Sequence, residues 1–159
     1  SIIENLELAI RRGKRRGLKW GFKKENENMF KSILSDLNLG LEDRLNQKVG
    51  LLSGGQRQAV TLLMATLEKP KVLLLDEHTA ALDPKTATSV LELTNKIVSE
   101  NNLTTLMITH NMRDAIKYGN RLIMMYNGKV VLDVKKEEKE KLTVEFLLNK
   151  FNEMSEVEL

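Results

Sequence analysis

The sequence has 159 residues, of which 42% are hydrophobic and 30% charged, and this composition is typical of a globular domain with a core of its own. It contains no cysteine, which excludes disulfide frameworks and cysteine-based zinc sites, and its two histidines argue against an imidazole metal cluster. No apolar run reaches the length of a membrane-spanning helix and no secretory signal is present, so we expect a cytoplasmic protein.

The net charge of +3 is unevenly distributed along the chain. Residues 1–24 contain eight basic and two acidic residues and carry +6, so the remainder carries −3. The basic stretch 11–24 is consistent with a solvated loop, with contact to anionic lipid or an acidic membrane subunit, or, because Trp20 and Phe22 lie within it, with nucleic acid. The chain begins with Ser1 rather than Met, which predicts a processed or truncated product.

The first fifty residues are predicted to be helical and to form a separate lobe. Ser1 and Glu4 have the spacing of a capping box and predict a helix from the first residues. The glycine-containing basic stretch breaks the pattern and predicts a loop. A second helix is predicted over about 25–38 and ended by Gly40.

The remaining residues alternate helices with short apolar strands, which indicates an α/β domain with a mainly parallel sheet. Strands buried on both faces are predicted at 71–77 and 104–110. Asn127-Gly128 predicts a type I′ hairpin within 121–134. The predicted helices start from Ser53, from Asp83 with Pro84 at its first position, and from Asn111, and a last helix carries Val144, Leu147, Leu148 and Phe151.

Two predicted strands end in residues that can carry chemistry. In open α/β sheets, ligands bind beyond the carboxyl ends of the strands. Asp76 and Glu77 follow four apolar residues, in a pattern suited to holding hydrated Mg²⁺ and activating a water, although a strand that simply runs into an acidic turn gives the same pattern. His110 follows the second strand and is consistent either with contact to a γ-phosphate or with a surface histidine.

The stretch "LLSGGQRQ" at 51–58 places two glycines at a predicted helix start. Ser53 and Gln56 fit a capping box. A cap does not by itself require Gly54 and Gly55, whereas bare amides at a helix start let an anion approach closely. The pattern therefore predicts anion binding without naming the ligand.

Taken in order, these motifs resemble the nucleotide-binding subunits of ABC transporters. "LSGGQ" at 52–56 is similar to the family's signature sequence, "VLLLDE" at 72–77 to its Walker B motif, and "ALD" at 81–83 to its D-loop. His110 matches the switch histidine, and "IIENL" at 2–6 is similar to the segment after the Q-loop. The resemblance covers nearly the whole chain and is firmest over 50–130.

The resemblance implies a P-loop NTPase-like parallel sheet with flanking helices, incomplete because the Walker A strand is missing, plus an α-helical subdomain. The helical subdomain would comprise 1–50, and 51–159 would form the C-terminal part of the ATPase core. The implied ligands are ATP and Mg²⁺. The implied partners are a second ATPase subunit, as a homodimer, and a transmembrane permease that holds the protein at the inner face of the cell membrane; a nucleic-acid partner is not expected.

The resemblance also implies a role for each site residue. Asp76 would coordinate Mg²⁺, Glu77 would be the catalytic base, His110 would contact the γ-phosphate, and Asp83 would couple the two subunits. The γ-phosphate of ATP held by the partner subunit would be bound by four consecutive signature residues, Ser53, Gly54, Gly55 and Gln56.

The sequence departs from the family pattern in two respects. His78 stands where the family usually has proline, and we expect little effect because it replaces no known ligand. No G-x-x-x-x-G-K-[ST] motif occurs in the chain, and the Q-loop glutamine and adenine-stacking aromatic residue are also missing. We therefore expect weak ATP binding, no useful hydrolysis by this chain alone, and exposed strand edges that favour a non-physiological dimer.

Three functions are consistent with these features. The first is the ATP-hydrolysing subunit that powers an ABC membrane transporter. The second is a soluble ABC ATPase acting on the ribosome or DNA, although a single "LSGGQ" and no long heptad segment favour the transporter. The third is a non-catalytic half-site remnant that contributes only its signature face to a partner.

Overall fold

The computed structural model describes residues 1–13 and 24–156. Most of the basic stretch, for which a loop was predicted, lies outside the described residues. Within the described part of the chain, no helix is both long and apolar enough to cross a membrane. The helices and strands are, in chain order, α1 Ile2–Ile10, α2 Lys24–Ser35, α3 Gly54–Thr66, β1 Leu73–Asp76, α4 Pro84–Glu100, β2 Thr105–Ile108, α5 Met112–Lys117, β3 Arg121–Tyr126, β4 Lys129–Lys135, α6 Lys136–Glu140 and α7 Val144–Glu156.

The chain divides into two compact units, Ser1–Met107 and Ile108–Leu159. In the first unit, α1 begins with the predicted capping box, in which the Glu4 N–H donates to the Ser1 hydroxyl. α2 ends at Ser35, earlier than predicted, and Asn38 beyond it has a positive φ of 53°, which a continuing right-handed helix does not allow. The core of this part joins α1, α2 and α3 through Ile2, Ile3, Leu6, Phe30, Leu34, Leu41, Leu45, Leu52, Val60 and Leu63. This core contains residues from both sides of residue 50 and does not mark a boundary there. The division into a helical subdomain, 1–50, and an ATPase core, 51–159, therefore stays a prediction.

β1 and β2 form a two-stranded parallel sheet connected by α4. Leu73 and Leu75 are buried in a second core with Leu62 of α3. Leu74, which lies between them in β1, points the other way and is 70% exposed. In β2, Leu106 is likewise 53% exposed. The prediction of strands buried on both faces is therefore wrong for the described residues. Side chains alternate across a strand, and the helices of this unit cover only one of the two faces.

The second unit contains the predicted hairpin. β3 and β4 pair antiparallel, with Tyr126 opposite Lys129 and a register shift between Met124 and Met125. The two turn residues, Asn127 and Gly128, both have positive φ angles, 46° and 74°. This is the type I′ geometry that the Asn-Gly pair predicts.

The hairpin runs directly into α6, a short helix that the sequence pattern did not predict. Lys139 of α6 is 4% exposed, and its ammonium group donates to the backbone carbonyls of Ile116 and Tyr118. These carbonyls lie at the end of α5, where a helix leaves its last acceptors without intrahelical donors. The buried lysine therefore caps α5 from a distant segment of the chain.

Candidate functional site

The signature sequence forms the start of α3. Ser53 has extended backbone angles, and the Gln56 N–H donates to its hydroxyl at 3.3 Å. The Ser53 N–H donates in return to Oε1 of Gln56 at 3.2 Å, which completes the predicted capping box. Gly54 and Gly55 occupy the first turn, where backbone N–H groups lack intrahelical acceptors and the helix dipole is positive. The arrangement suits an anion placed at this helix end.

The two glycines have a second role that the sequence did not reveal. A β-carbon at Gly54 would lie 2.9 Å from Cδ2 of Leu82, and one at Gly55 would overlap the γ-methyl of Thr86. Leu82 precedes α4, and Thr86 lies in its first turn. The starts of α3 and α4 therefore pack so closely that the signature positions have no room for side chains. No local sequence signal links residues this far apart.

Gln56 also bonds outside its own helix. Its Nε2 donates to the carbonyl oxygen of Leu39 at 3.2 Å. Leu39 lies in the loop between α2 and α3 and packs against the first core. The side chain predicted to bind phosphate is thus already bonded to two backbone groups.

Asp76 and Glu77 lie at the carboxyl end of β1, as predicted, and both are exposed. Glu77 has a φ of 42°, a left-handed conformation that is uncommon for a residue other than glycine. The Ala80 N–H donates to the Glu77 carbonyl at 2.9 Å, which starts the tight turn leading to α4. Strained backbone of this kind clusters at functional sites, so the conformation favours a role for this turn.

Asp83 is the N-cap of α4, with Pro84 at the first helical position, as predicted. Its carboxylate accepts a hydrogen bond from the Thr86 N–H at 3.1 Å. Hydrogen bonding to the Thr86 side chain, and secondly to its backbone N–H, lowers the pKa of Asp83 below its ordinary value, so the group is ionised at neutral pH. Since Thr86 also contacts Gly55, the caps of α3 and α4 are brought together in the first unit.

His78 makes a contact that the sequence pattern did not predict. Its Nε2 lies 3.1 Å from the hydroxyl of Thr94, a buried residue of α4 whose hydroxyl donates to the Val90 carbonyl at 2.8 Å. The Thr94 oxygen therefore accepts, and Nε2 of His78 carries a proton. Burial lowers the pKa of His78, which favours the neutral ring. The residue next to Glu77 is thus anchored to α4.

His110 belongs to the second unit and is exposed. It directly precedes Asn111, whose side chain caps α5 by accepting from the Arg113 N–H at 3.0 Å. The predicted helix start at Asn111 is confirmed. The cap sets the direction in which the chain leaves the histidine and enters α5.

A metal site made only of protein ligands is not found in the described ranges. Residues 1–13 and 24–156 contain no group of three or more His, Cys, Asp or Glu side chains arranged to hold an ion. Mg²⁺ commonly uses one or two carboxylates and takes its other ligands from phosphate and water. The exposed Asp76 at a strand end fits that kind of donor set.

Comparison with known sequences identifies the family. Residues 2–80 match the family model for the ABC transporter. The chain is 55% identical over 151 residues to the tyrosine transport ATP-binding protein of Clostridioides difficile (strain R20291), covering 95% of this chain and 60% of that protein. It is 39% identical over 153 residues to methionine import ATP-binding protein MetN 1 of Oceanobacillus iheyensis, covering 92% and 43%. The chain therefore spans about 60% or less of the length of these two relatives.

Solved structures agree with the sequence comparison. An ATP-binding cassette of an ABC transporter in its ADP conformation superimposes with a TM-score of 0.73 at 26% identity, covering 95% of this chain and 62% of that chain. An inward-facing putative metal-chelate type ABC transporter gives a TM-score of 0.76 at 24% identity and shares the fold, covering 96% and 58%. These matches confirm the α/β fold predicted from the sequence. The chain belongs to the ABC transporter family of ATP-binding proteins.

Proposed function

We propose that the chain forms part of an ATP-hydrolysing site that powers an ABC membrane transporter. The observation that carries the proposal is the contact between Gly55 and Thr86, which holds the start of the signature helix beside the Asp83 cap of α4. In the same unit, β1 ends in the carboxylates of Asp76 and Glu77. One unit therefore carries an anion-binding helix start and two strand-end acids.

Each residue has a role that fits its chemistry. Bound MgATP would supply the phosphoryl group that is transferred to water. Asp76 would hold Mg²⁺, and Glu77 would orient the attacking water and accept its proton. The hydroxyl of Ser53 and the first amides of α3 would donate to the γ-phosphate of ATP held by a partner subunit. His110, in the second unit, would contact a γ-phosphate.

The proposed partners follow from the motifs that these 159 residues contain and lack. These 159 residues contain no G-x-x-x-x-G-K-[ST] motif, the loop that binds the phosphates of ATP and is called the phosphate cradle here. The carboxylates of Asp76 and Glu77 therefore have no phosphate cradle among these residues. We propose a second ATPase subunit, as a homodimer, with Asp83 near the shared interface. A permease subunit would hold the pair at the cytoplasmic face of the membrane.

The transported solute is proposed from the relatives. Two of them are named for amino acids, tyrosine and methionine, and each aligns over more than nine-tenths of this chain. A third, at 37% identity over 129 residues, is named as a putative hemin import ATP-binding protein, from Staphylococcus epidermidis. The higher identities favour import of an amino acid.

The nucleotide role is tested by nuclear magnetic resonance. MgATP is added at millimolar concentration to the isotopically labelled 159-residue chain, and backbone amide shifts are followed. We expect saturable shifts at Ser53, Gly54, Gly55 and Gln56, and a Mg²⁺-dependent shift at Asp76 that D76N abolishes. MgAMP, which lacks the β- and γ-phosphates, is the matched control and should shift these amides much less. Equal shifts with MgAMP, or shifts confined to other residues, would contradict the proposal.

Hydrolysis gives a second test. Because the phosphate cradle is not among these residues, we expect no measurable ATP turnover by the purified chain. ATP turnover that is lost in E77Q would show that Asp76 and Glu77 act without the phosphate cradle. The proposal that hydrolysis needs a cradle from outside these residues would then be wrong.

A further inference from the structure

Both ends of the Gln56 side-chain amide are engaged by the protein itself. Oε1 accepts from the Ser53 N–H, and Nε2 donates to the Leu39 carbonyl, each at 3.2 Å. The second bond joins residues 17 positions apart in the chain. A side-chain amide offers one carbonyl and two N–H donors, so only one donor is not accounted for by these two bonds.

The loop that receives this bond is itself well anchored. Leu39 packs against the core shared by α1, α2 and α3. On either side of it, Asn38 and Gly40 have positive φ angles of 53° and 64°, a conformation these two residue types adopt most readily. The Asn38 N–H donates to the Ser35 carbonyl at 3.0 Å. The sharp turns therefore fix the position of the Leu39 carbonyl.

We propose that Gln56 is a positioning residue and not a nucleotide contact. Its two hydrogen bonds connect the start of α3, the proposed phosphate site, to the loop 36–40. Order at the start of α3 therefore stabilises the loop, and order in the loop stabilises the start of α3. This inference rests on the proposed function for the meaning of the α3 start as a phosphate site. The bridge itself is a property of the chain without ligand.

The proposal makes the two ends of the bridge energetically coupled. Phosphate bound by the amides of Gly54 and Gly55 would stabilise the cap at Ser53, and through Gln56 it would stabilise the loop. By thermodynamic reciprocity, anything that holds the loop would favour phosphate at the α3 start. If Gln56 only contacted the nucleotide, ligand binding would not change the stability of the loop 36–40.

The first test follows hydrogen exchange in the 159-residue chain without ligand. In Q56M both bonds are lost, and the amides of Ser53 and Asn38 should exchange about fivefold faster, as the loss of one ordinary hydrogen bond implies. Q56E retains an acceptor for Ser53 but has no donor for Leu39 when ionised, so only Asn38 should exchange faster. Q58M is the matched control on the same helix and should leave both rates unchanged.

The second test adds MgATP to the same three variants and the natural chain. In the natural chain, the ligand should slow exchange at Asn38, although this residue lies in the loop and outside the phosphate site. That slowing should persist in Q58M and disappear in Q56M. A residue with a merely structural role would not change the response of the loop to nucleotide.

The outcomes separate the two proposals. If Q56M leaves the exchange of Asn38 unchanged, or if MgATP still slows it in Q56M, the positioning role is overturned. If MgATP shifts no amide at Gly54 and Gly55 in the natural chain, the proposed function fails, while the comparison of Q56M, Q56E and Q58M without ligand still decides whether the bridge holds the loop.

Discussion

Gly55 and Thr86 lie in direct contact where the starts of α3 and α4 meet, and a β-carbon on Gly55 would overlap the γ-methyl of Thr86. Thr86 cannot withdraw easily, because its N–H is bonded to Asp83 and its side chain is branched at the β-carbon. Gly55 is itself buried. The glycine is therefore required by packing, in addition to any anion that approaches the helix end.

This contact predicts that G55A is destabilising. We expect the free energy of unfolding to fall by about 1–3 kcal/mol, the usual effect of inserting a methyl group into a closely packed contact. The higher helix propensity of alanine acts in the opposite direction, so a loss reports the clash. The measurement is urea denaturation followed by circular dichroism.

Two variants make this test specific. T86S removes the γ-methyl, so the double variant G55A/T86S should recover most of the stability lost in G55A. G50A is the control, since a β-carbon at Gly50 meets nothing within 4 Å. Equal stability of G55A and G50A would show that the contact does not constrain the signature.

The Asp83 cap predicts a pH-dependent contribution to stability. Hydrogen bonding to the side chain and to the backbone N–H of Thr86 lowers the pKa of Asp83 in the folded chain, so the ionised carboxylate stabilises the fold above its ordinary pKa of about 3.9. That stabilisation is lost as the pH falls through the lower pKa of the folded state. D83A should therefore unfold at a lower temperature than the natural chain at pH 7, and the difference should shrink below about pH 4. D43A, which removes an exposed aspartate in a loop, should show no such convergence.

Burial of His78 predicts a pH dependence of the same sign as that of Asp83, but in a higher pH range. Its pKa is lower in the folded chain than the ordinary value of about 6.5, so the unfolded chain binds the proton more readily. The free energy of unfolding should therefore fall as the pH is lowered through 6.5 towards the pKa of the folded state. H78Q keeps an amide donor for Thr94 and should weaken this slope.

The control for that experiment is H110Q, which removes the other histidine and leaves His78 in place. Denaturation curves at a series of pH values between about 5 and 8 provide the comparison. If H78Q retains the full slope and H110Q loses it, the buried ring of His78 is not its origin.

The exposed face of the β1–β2 sheet predicts self-association. Leu74 and Leu106 point away from the helices of the first unit, and unpaired strand edges beside apolar side chains favour pairing with another copy. Sedimentation velocity should show dimers or larger species of the 159-residue chain as its concentration rises. L74T should shift the distribution towards monomer, whereas L148Q, at an exposed leucine of α7, should not. A monomeric natural chain at all concentrations would contradict this prediction.

Much of the local structure was predictable from residues within a few positions of each other. Ser53 and Gln56 form their capping box because both partners lie in one turn, and Asn127-Gly128 forms its hairpin turn because both residues tolerate positive φ. Asp76 and Glu77 lie at a strand end because an apolar run followed by acids indicates that boundary. These features depend on short-range geometry, which the order of residues states directly.

The contacts that shape the site were decided by tertiary structure. Three contacts join segments that meet only after the helices have packed. They are the packing of Thr86 against Gly55 and the hydrogen bonds between Gln56 and Leu39 and between His78 and Thr94. The burial of Lys139, a residue type that is normally exposed, arises in the same way from two distant carbonyls. A sequence pattern shows which side chains are available, whereas the packing of α2, α3 and α4 determines which of them meet. The sequence therefore identified the signature and its acids, and the fold assigned the two glycines and the glutamine their neighbours.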